Sequence, residues 1–342
     1  MKISGKNPSA EAQQKFAELV NYRQGRFHNL EGGGVNLREA RLGRMLLDYL
    51  RKPKTVTPSR PIPLVRTDLW RLPADAPTVV WFGHSSYLIE SRGLRILVDP
   101  VFSGYASPFS FSVKAYPGAN EYGVEDLPPI DVLVITHDHY DHLDYQTIMQ
   151  LRGRVGRVIA PLGVGSHLVY WGVEADTITE LNWHETAVLA DDVHLTATPA
   201  QHMSGRGVAP QRTLWASYVL ELHGYRLFLG GDSGYGSHFR SIGEQYGPFD
   251  LALLENGQYN ELWHAAHTLP PETARAAHEL RTRMLLPVHW AKFTLGYHPW
   301  NEPIQLLLPE ADQLGVPVTA PRIGEPYTLG APAMRTAWWD LA

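Results

Sequence analysis

The sequence predicts an α/β protein in which β-sheets pack together and helices lie outside them. Three observations carry that expectation. From residue 78 the chain is punctuated by short runs rich in Val, Ile, Leu, Tyr and Trp, most of them bounded by turn residues. Helical patterns fall late in the chain, each with a proline near its first turn. No repeat at a solenoid period and no low-complexity block breaks this alternation.

Taken in order, residues 9–23 read as a helix, and Gly32-Gly33-Gly34 prevents it from running on. A second helix is expected over residues 37–51, where Leu42, Met45, Leu46, Tyr49 and Leu50 recur at helical spacing. Arg41, Arg44 and Arg51 lie off that stripe. They read as the solvated face of a helix packed on the main body, the alternative being a basic helix on an anionic membrane surface. Residues 53–77 hold many prolines and read as an extended wrap. The chain therefore divides into an N-terminal helical and extended segment, 1–75, and a main domain, 76–342. Strands are expected at Thr78–Phe82, Ser86–Glu90, Arg95–Val98, Val132–Thr136, Val193–Thr198, Trp215–Leu222, Tyr225–Leu229 and Leu251–Leu254. Helices are expected near 271–282 and 301–314, with Pro309 kinking or splitting the second.

Composition narrows the function. The chain has 342 residues, 44% of them apolar, enough for a sizeable core. Thirty basic residues against 35 acidic ones give a net charge of −5, which argues against a nucleic-acid partner. No apolar stretch is long enough to span a bilayer. The start, Met-Lys-Ile-Ser-Gly-Lys-Asn-Pro, lacks an apolar signal region, so a cytoplasmic location is expected by default. Cysteine is absent, which removes disulfides, thiolate ligands, Fe–S clusters and cysteine nucleophiles together. Any metal must be held by nitrogen and oxygen, and 16 histidines make that plausible.

The decisive stretch is Asp131-Val-Leu-Val-Ile-Thr-His137-Asp138-His139-Tyr140-Asp141-His142. An apolar run ends and a polar cluster begins. Strand alternation would set His137 and His139 on one side of the chain, and a turn after His139 would swing Asp141 and His142 toward a second point. Six residues cannot complete two metal shells, so remote ligands are required. Candidates close other β-like runs: His202 after Thr196-Ala-Thr-Pro-Ala-Gln, Asp232 after Leu227-Phe-Leu-Gly-Gly, and His289 after Met284-Leu-Leu-Pro-Val.

In this order of residues the chain resembles the metallo-β-lactamase superfamily. More narrowly it resembles the branch that contains N-acyl-phosphatidylethanolamine-hydrolysing phospholipase D, through Trp81-Phe-Gly-His-Ser-Ser, Leu97-Val-Asp-Pro-Val-Phe, Pro199-Ala-Gln-His202, Gly231-Asp232-Ser-Gly-Tyr and His289-Trp-Ala-Lys-Phe. The likeness covers roughly residues 76–310, with a weaker echo in Gly25-Arg-Phe-His-Asn. It implies a four-layer αββα sandwich. It also implies that His137, His139 and His202 hold one divalent ion, that Asp141, His142 and His289 hold another, and that Asp232 bridges them. Two such ions about 3.5–4 Å apart can share a water and present hydroxide as a nucleophile. Zinc suits this ligand set best, with Mn and Fe as alternatives.

Asp141 and Asp232 are further expected to orient the water, and His267, in His264-Ala-Ala-His267-Thr-Leu-Pro-Pro, matches a family histidine that faces substrate. The resemblance makes Asp99 an orienting group behind the ligands, although an Asp-Pro pair also simply favours a turn. His84 reads as structural support, and Tyr259, His264 and His298 as lesser candidates for the pocket. The function implied is a metal-dependent hydrolase acting on a phosphodiester in a small-molecule or lipid-like substrate. Where the phospholipase is more apolar, this chain has Leu254-Glu255-Asn256-Gly257-Gln258-Tyr259, which keeps lactones, esters and amides open as substrates. A non-catalytic metal-binding module is the alternative from another class.

Overall fold

The computed structural model describes residues 2–31, 51–73, 75–207, 209–260 and 263–341. The helix expected over 37–51 lies, but for its last residue, outside them. The first helix is shorter than expected: α1 spans Ala10–Phe16, and a hairpin of β1 (Tyr22–Arg23) and β2 (Arg26–Phe27) replaces its continuation. The reason is local. Gln24 and Gly25 take φ of 52° and 73°, the two consecutive left-handed residues of a tight hairpin turn. Phe16, Tyr22 and Phe27 then close into one aromatic cluster with centroids 4.8–5.6 Å apart.

The strands form two mixed sheets. The first contains β3 (Thr78–Trp81), β4 (Tyr87–Ser91), β5 (Leu94–Val98), β6 (Ile130–Val134), β7 (Val155–Pro161) and β8 (Ile178–Leu181), with β15 (Pro326–Thr328) at its edge beside β3. The second runs in sequence from β9 (Thr186–Ala190) and β10 (Val193–Thr198) through β11 (Ser217–Leu222), β12 (Tyr225–Leu229) and β13 (Leu251–Glu255) to β14 (Leu285–Val288). Each sheet has an antiparallel half and a parallel half: β5 through β8 are parallel in the first, and β12 through β14 in the second. Strands β6, β12, β13 and β14 carry near-continuous apolar runs because most of their length is covered on both faces. Leu133, Val134, Leu227, Phe228, Leu253 and Leu286 are all essentially inaccessible.

The sheets are pinned together next to the polar motif. Ala216 N donates to Thr136 O at 3.0 Å, and the Tyr218 hydroxyl donates to Ile135 O at 2.9 Å. Outside the sheets lie α2 (Tyr145–Leu151), α3 (Gly165–Tyr170), α4 (His238–Tyr246), α5 (Pro270–Glu279) and α6 (Glu302–Gln313). Both late helices fall where expected, but α6 continues through Pro309 without a break. Strands β7, β8, β9 and β15 and helices α2 to α4 had not been anticipated. No helix among the described residues is long and apolar enough to cross a membrane.

Candidate metal centre

Strand direction gathers the polar residues at one end of the sandwich. In the first sheet β3, β5 and β6 point the same way and are followed by His84, Asp99 and the His137–His142 segment. In the second, β10, β12, β13 and β14 share a direction and lead to His202, Asp232, Glu255 and His289. Carboxyl ends of strands are where α/β sheets assemble their sites. His84, Asp99 and His289 have φ of 52°, 41° and 66°, a left-handed backbone that non-glycine residues take at some cost and that clusters at functional sites. Gly231 (φ 60°) is required by packing: a Cβ there would lie 2.9 Å from Thr136 Cβ, so only glycine lets the loops carrying Asp232 and His137 approach so closely.

Strand alternation does not place His137 and His139, because β6 stops at Val134. The segment beyond is an irregular loop closed by Leu143 N donating to His139 O at 2.8 Å. The two rings still meet, with His137 Nε2 2.9 Å from His139 Nδ1, and His202 Nε2 lies 3.2 Å from that same Nδ1. The turn brings His142 Nε2 to 3.6 Å from Asp141 Oδ2 and 3.2 Å from Asp232 Oδ2. Asp232 sits between the two groups: Oδ2 is 3.8 Å from both His137 Nε2 and His202 Nε2, while Oδ1 is 3.1 Å from His289 Nδ1.

These side chains fit divalent cations. Ligand atoms of His137, His139 and His202 fall within 4.8 Å of one another, as do those of His84, Asp141, His142 and His289, and those of His137, His142 and Asp232. Both oxygens of Asp232, His142 Nε2 and His289 Nε2 are buried without a hydrogen-bond partner. Such atoms are costly unless something binds them. The hydrogens of three rings are already committed elsewhere. His142 Nδ1 donates to Asp99 Oδ2 (2.8 Å), His202 Nδ1 to Ala266 O (2.9 Å), and His137 Nδ1 to Thr136 Oγ1 (3.0 Å), whose own hydrogen goes to Asp99 Oδ2. Each ring is left with a bare Nε2 facing the centre, the arrangement metal-ligating histidines adopt. Asp99 thus both closes the turn after β5 and orients His142 through its carboxylate.

Other supports were only partly foreseen. His84 Nε2 lies 2.9 Å from Asp141 Oδ2, and Ser85 Oγ 2.9 Å from His289 Nδ1. Asn29, from the Gly25-Arg-Phe-His-Asn echo, grips His202 by both backbone groups: Nδ2 donates to His202 O (2.9 Å) and Oδ1 accepts from His202 N (3.0 Å). His264 is not part of the centre; half-exposed, it pairs with Glu272 at 3.0 Å. Tyr259 and His298 stack on each other 4.1 Å apart, and Tyr259 donates to Glu302 at the start of α6.

His267 does reach the centre, with Nδ1 3.9 Å from Asp232 Oδ2 and its ring 5.1 Å from that of His202. Its close partner is Glu255, whose Oε2 accepts from His267 Nδ1 at 2.7 Å. No role had been assigned to Glu255. The criterion that picked out Asp232, a carboxylate closing an apolar run, applies equally to Leu251–Glu255.

Burial dominates the proton affinities. It holds the His137, His202 and His289 imidazoles far below their ordinary value, and neighbouring imidazoles reinforce this. His142 goes the other way: burial opposes its charge, but Asp232 and Asp141 outweigh burial and raise it. Asp141 is lowered against the effect of burial, by the charge of His142 and the hydrogen bond from His84. Burial lifts the Glu255 carboxyl to about 7, with His267 opposing. Burial would lower His267, but the charge and hydrogen bond of Glu255 prevail and raise it to about 9.

Comparison with known proteins agrees with this architecture. Residues 94–290 match the model of the Beta-lactamase superfamily domain. An uncharacterized protein of Mycobacterium tuberculosis is 39% identical over 326 residues, 94% of this chain and 87% of the relative. N-acyl-phosphatidylethanolamine-hydrolyzing phospholipase D 1 of Caenorhabditis elegans is 32% identical over 228 residues, 63% of this chain and 64% of that protein. Among solved structures, a metallo hydrolase from the archaeon Ignicoccus hospitalis superposes with a TM-score of 0.56 at 24% identity, covering 75% of this chain and all of that one. With its two mixed sheets and its histidine and aspartate cluster at their carboxyl ends, the chain belongs to the metallo-β-lactamase superfamily and is one of its metal-dependent hydrolases.

Proposed function

We propose that the chain hydrolyses a phosphodiester in the manner of a phospholipase D, with two zinc ions held by His137, His139, His202, Asp141, His142, His289 and the bridging Asp232. The observation that carries this reading is the bare, buried carboxylate of Asp232 between two sets of ligating atoms, with His267 beside it. Zinc bound there supplies Lewis acidity that lowers the pKa of a water and offsets charge developing on substrate oxygens. In this reading Asp141 and Asp232 would accept a hydrogen bond from the attacking water and hold its lone pair toward phosphorus. His267, 15% exposed at its side chain and anchored through Nδ1, has Nε2 left to protonate the departing oxygen. The names of the nematode relative and of a mitochondrial one from Saccharomyces cerevisiae, 34% identical over 66% of this chain and 50% of that one, support a phosphodiester. The acidic charge balance supports a small or lipid-like substrate over nucleic acid.

One observation favours a second reading. Glu255 and Asn256 are buried where the phospholipase has a more apolar stretch, so a lactone, ester or amide remains a competing substrate class. The deciding experiment is a panel of phosphodiesters, N-acyl phospholipids, lactones and β-lactams offered to the zinc-loaded protein. The expected result is fastest turnover of a phosphodiester, lost on chelation and restored by Zn²⁺ or Mn²⁺. Turnover confined to lactones or esters overturns the substrate assignment. Two bound ions with no hydrolysis of any class would mark a binding module.

A further inference from the structure

We infer that Glu255 is a positioning residue for His267, and that the pair equips the site for substrates whose leaving oxygen or nitrogen must be protonated as it departs. This rests on the hydrolase reading above and adds a residue and a leaving-group class to it.

Every acceptor on Glu255 is committed. The residue ends β13 and is 3% exposed. Its Oε1 accepts from Ser233 N at 2.8 Å and from Thr268 N at 3.2 Å. Its Oε2 accepts from His267 Nδ1 at 2.7 Å. Its backbone oxygen accepts from Thr273 Oγ1 at 3.0 Å. Ser233 follows Asp232 in the chain and Thr268 follows His267, so one carboxylate ties together the loops that carry the bridging aspartate and the candidate proton donor. The carboxylate also keeps a hydrogen on Nδ1 and leaves Nε2 as the ring atom available to substrate, with no second orientation of the ring that preserves the bond.

This arrangement matters only for some substrates. In hydrolysis the oxygen of water bonds to phosphorus or carbonyl carbon, and the bond to the leaving group breaks with its electron pair on the leaving atom. That atom takes the proton from His267 Nε2, and a proton from the water restores the ring. A nitrophenolate departs without the proton; an alkoxide or an amine does not. A well-held acid is therefore unnecessary for activated aryl substrates and decisive for alkyl ones.

The test compares aryl and alkyl leaving groups on zinc-loaded protein: bis(p-nitrophenyl) phosphate beside a methyl or ethanolamine phosphodiester, and p-nitrophenyl beside methyl esters. Glu255→Ala is expected to lower kcat on alkyl substrates by about a hundredfold or more, with KM little changed, and to leave aryl substrates within a few-fold. His267→Ala should show the same split, and the double variant should be no worse than His267→Ala alone. Zinc content at wild-type level confirms that the centre is intact. Should Glu255→Ala not fold, Glu255→Asp keeps the charge with a shorter reach and is read on the same split. Equal losses on aryl and alkyl substrates, or no loss on either, overturn this inference while leaving the hydrolase reading in place. A wild-type enzyme that turns over neither class overturns both. One that turns over esters but not phosphodiesters removes only the substrate assignment, and the ester pair still decides the role of Glu255.

Discussion

The two groups of candidate ligand side chains are oriented by different forces. His137 and His202 are steered by neutral partners: a threonine hydroxyl, a backbone carbonyl and the Asn29 amide. Asp141 and His142 are steered by ionisable ones, His84 and Asp99. The three-imidazole group is correspondingly kept neutral by burial, whereas in the carboxylate group His142 is raised and Asp141 lowered. One site thus joins buried imidazoles held by neutral partners, His289 with its Ser85 hydroxyl among them, to an Asp141–His142 pair held in a charge network. Substitutions that separate them should therefore have separable consequences.

The largest effect is expected where the halves join. Asp232→Asn removes a charge that faces both, so hydrolysis should fall to background with the fold largely kept, as checked by turnover and circular dichroism. His139→Ala should be equally inactive while sparing the carboxylate half, so metal analysis of the purified variant should find one ion fewer rather than none. Normal turnover by either metal-loaded variant would refute the site.

Next in size is the orienting layer of the charged half. Asp99→Asn leaves the shape of the side chain but weakens its hold on His142 and Thr136. Affinity at the carboxylate half should fall by about 10–100-fold in a chelator competition, with the three-imidazole half much less affected. Equal weakening of both halves would show that the division drawn above is not an energetic one.

Asn29→Ala probes the neutral half from the far end of the sequence. The His202 backbone N–H, its carbonyl and the Trp215 indole N–H would each lose a partner in a buried setting. A stability loss of about 1–3 kcal/mol in denaturant unfolding is expected, with weaker metal retention confined to the three-imidazole half.

Asn29 also shows where the sequence was informative and where it was not. The seven candidate ligand positions stand out in the sequence because each residue type has strong chemistry and most sit at or just past the end of an apolar run. The late helices were legible from proline and periodicity. Partners across the fold were not: nothing near Asn29 in the chain points to His202, 173 residues away. The stretch from Ile135 to His139 reads in the sequence as continuing strand, because its apolar start gives no sign of where hydrogen bonding to β7 ends. The helix over 9–23 was overextended for a related reason. Tyr22 satisfies a helical apolar stripe as well as it satisfies a hairpin, and the aromatic packing with Phe27 decides between them.

The smallest effect is on the pH dependence of stability in the metal-free protein. Seven of the described histidines (84, 137, 139, 202, 238, 289 and 298) have lowered proton affinity when folded. Below about pH 6.5 the unfolded chain takes up protons that these buried rings refuse, so stability declines on acidification, for His238 down to about pH 4. Glu255 opposes this weakly, because its raised carboxyl binds a proton in the fold up to about pH 7. His142 and His267 act in the other direction. Their contribution is complete below about pH 6.5 and is lost as the pH rises through the folded value, about 9 for His267. Among the histidines, the acid arm of the melting curve of chelated protein should be drawn from both halves and the alkaline arm from His142 and His267, with the Lys292 amine, lowered by burial to about 7, acting against that alkaline arm. Asp141→Asn removes one of the two charges that raise His142 and a charge that supports protonation of His84 and His139, so it should flatten the alkaline arm and steepen the acid arm. An alkaline arm unchanged in this variant would show that Asp141 does not hold the charge of His142.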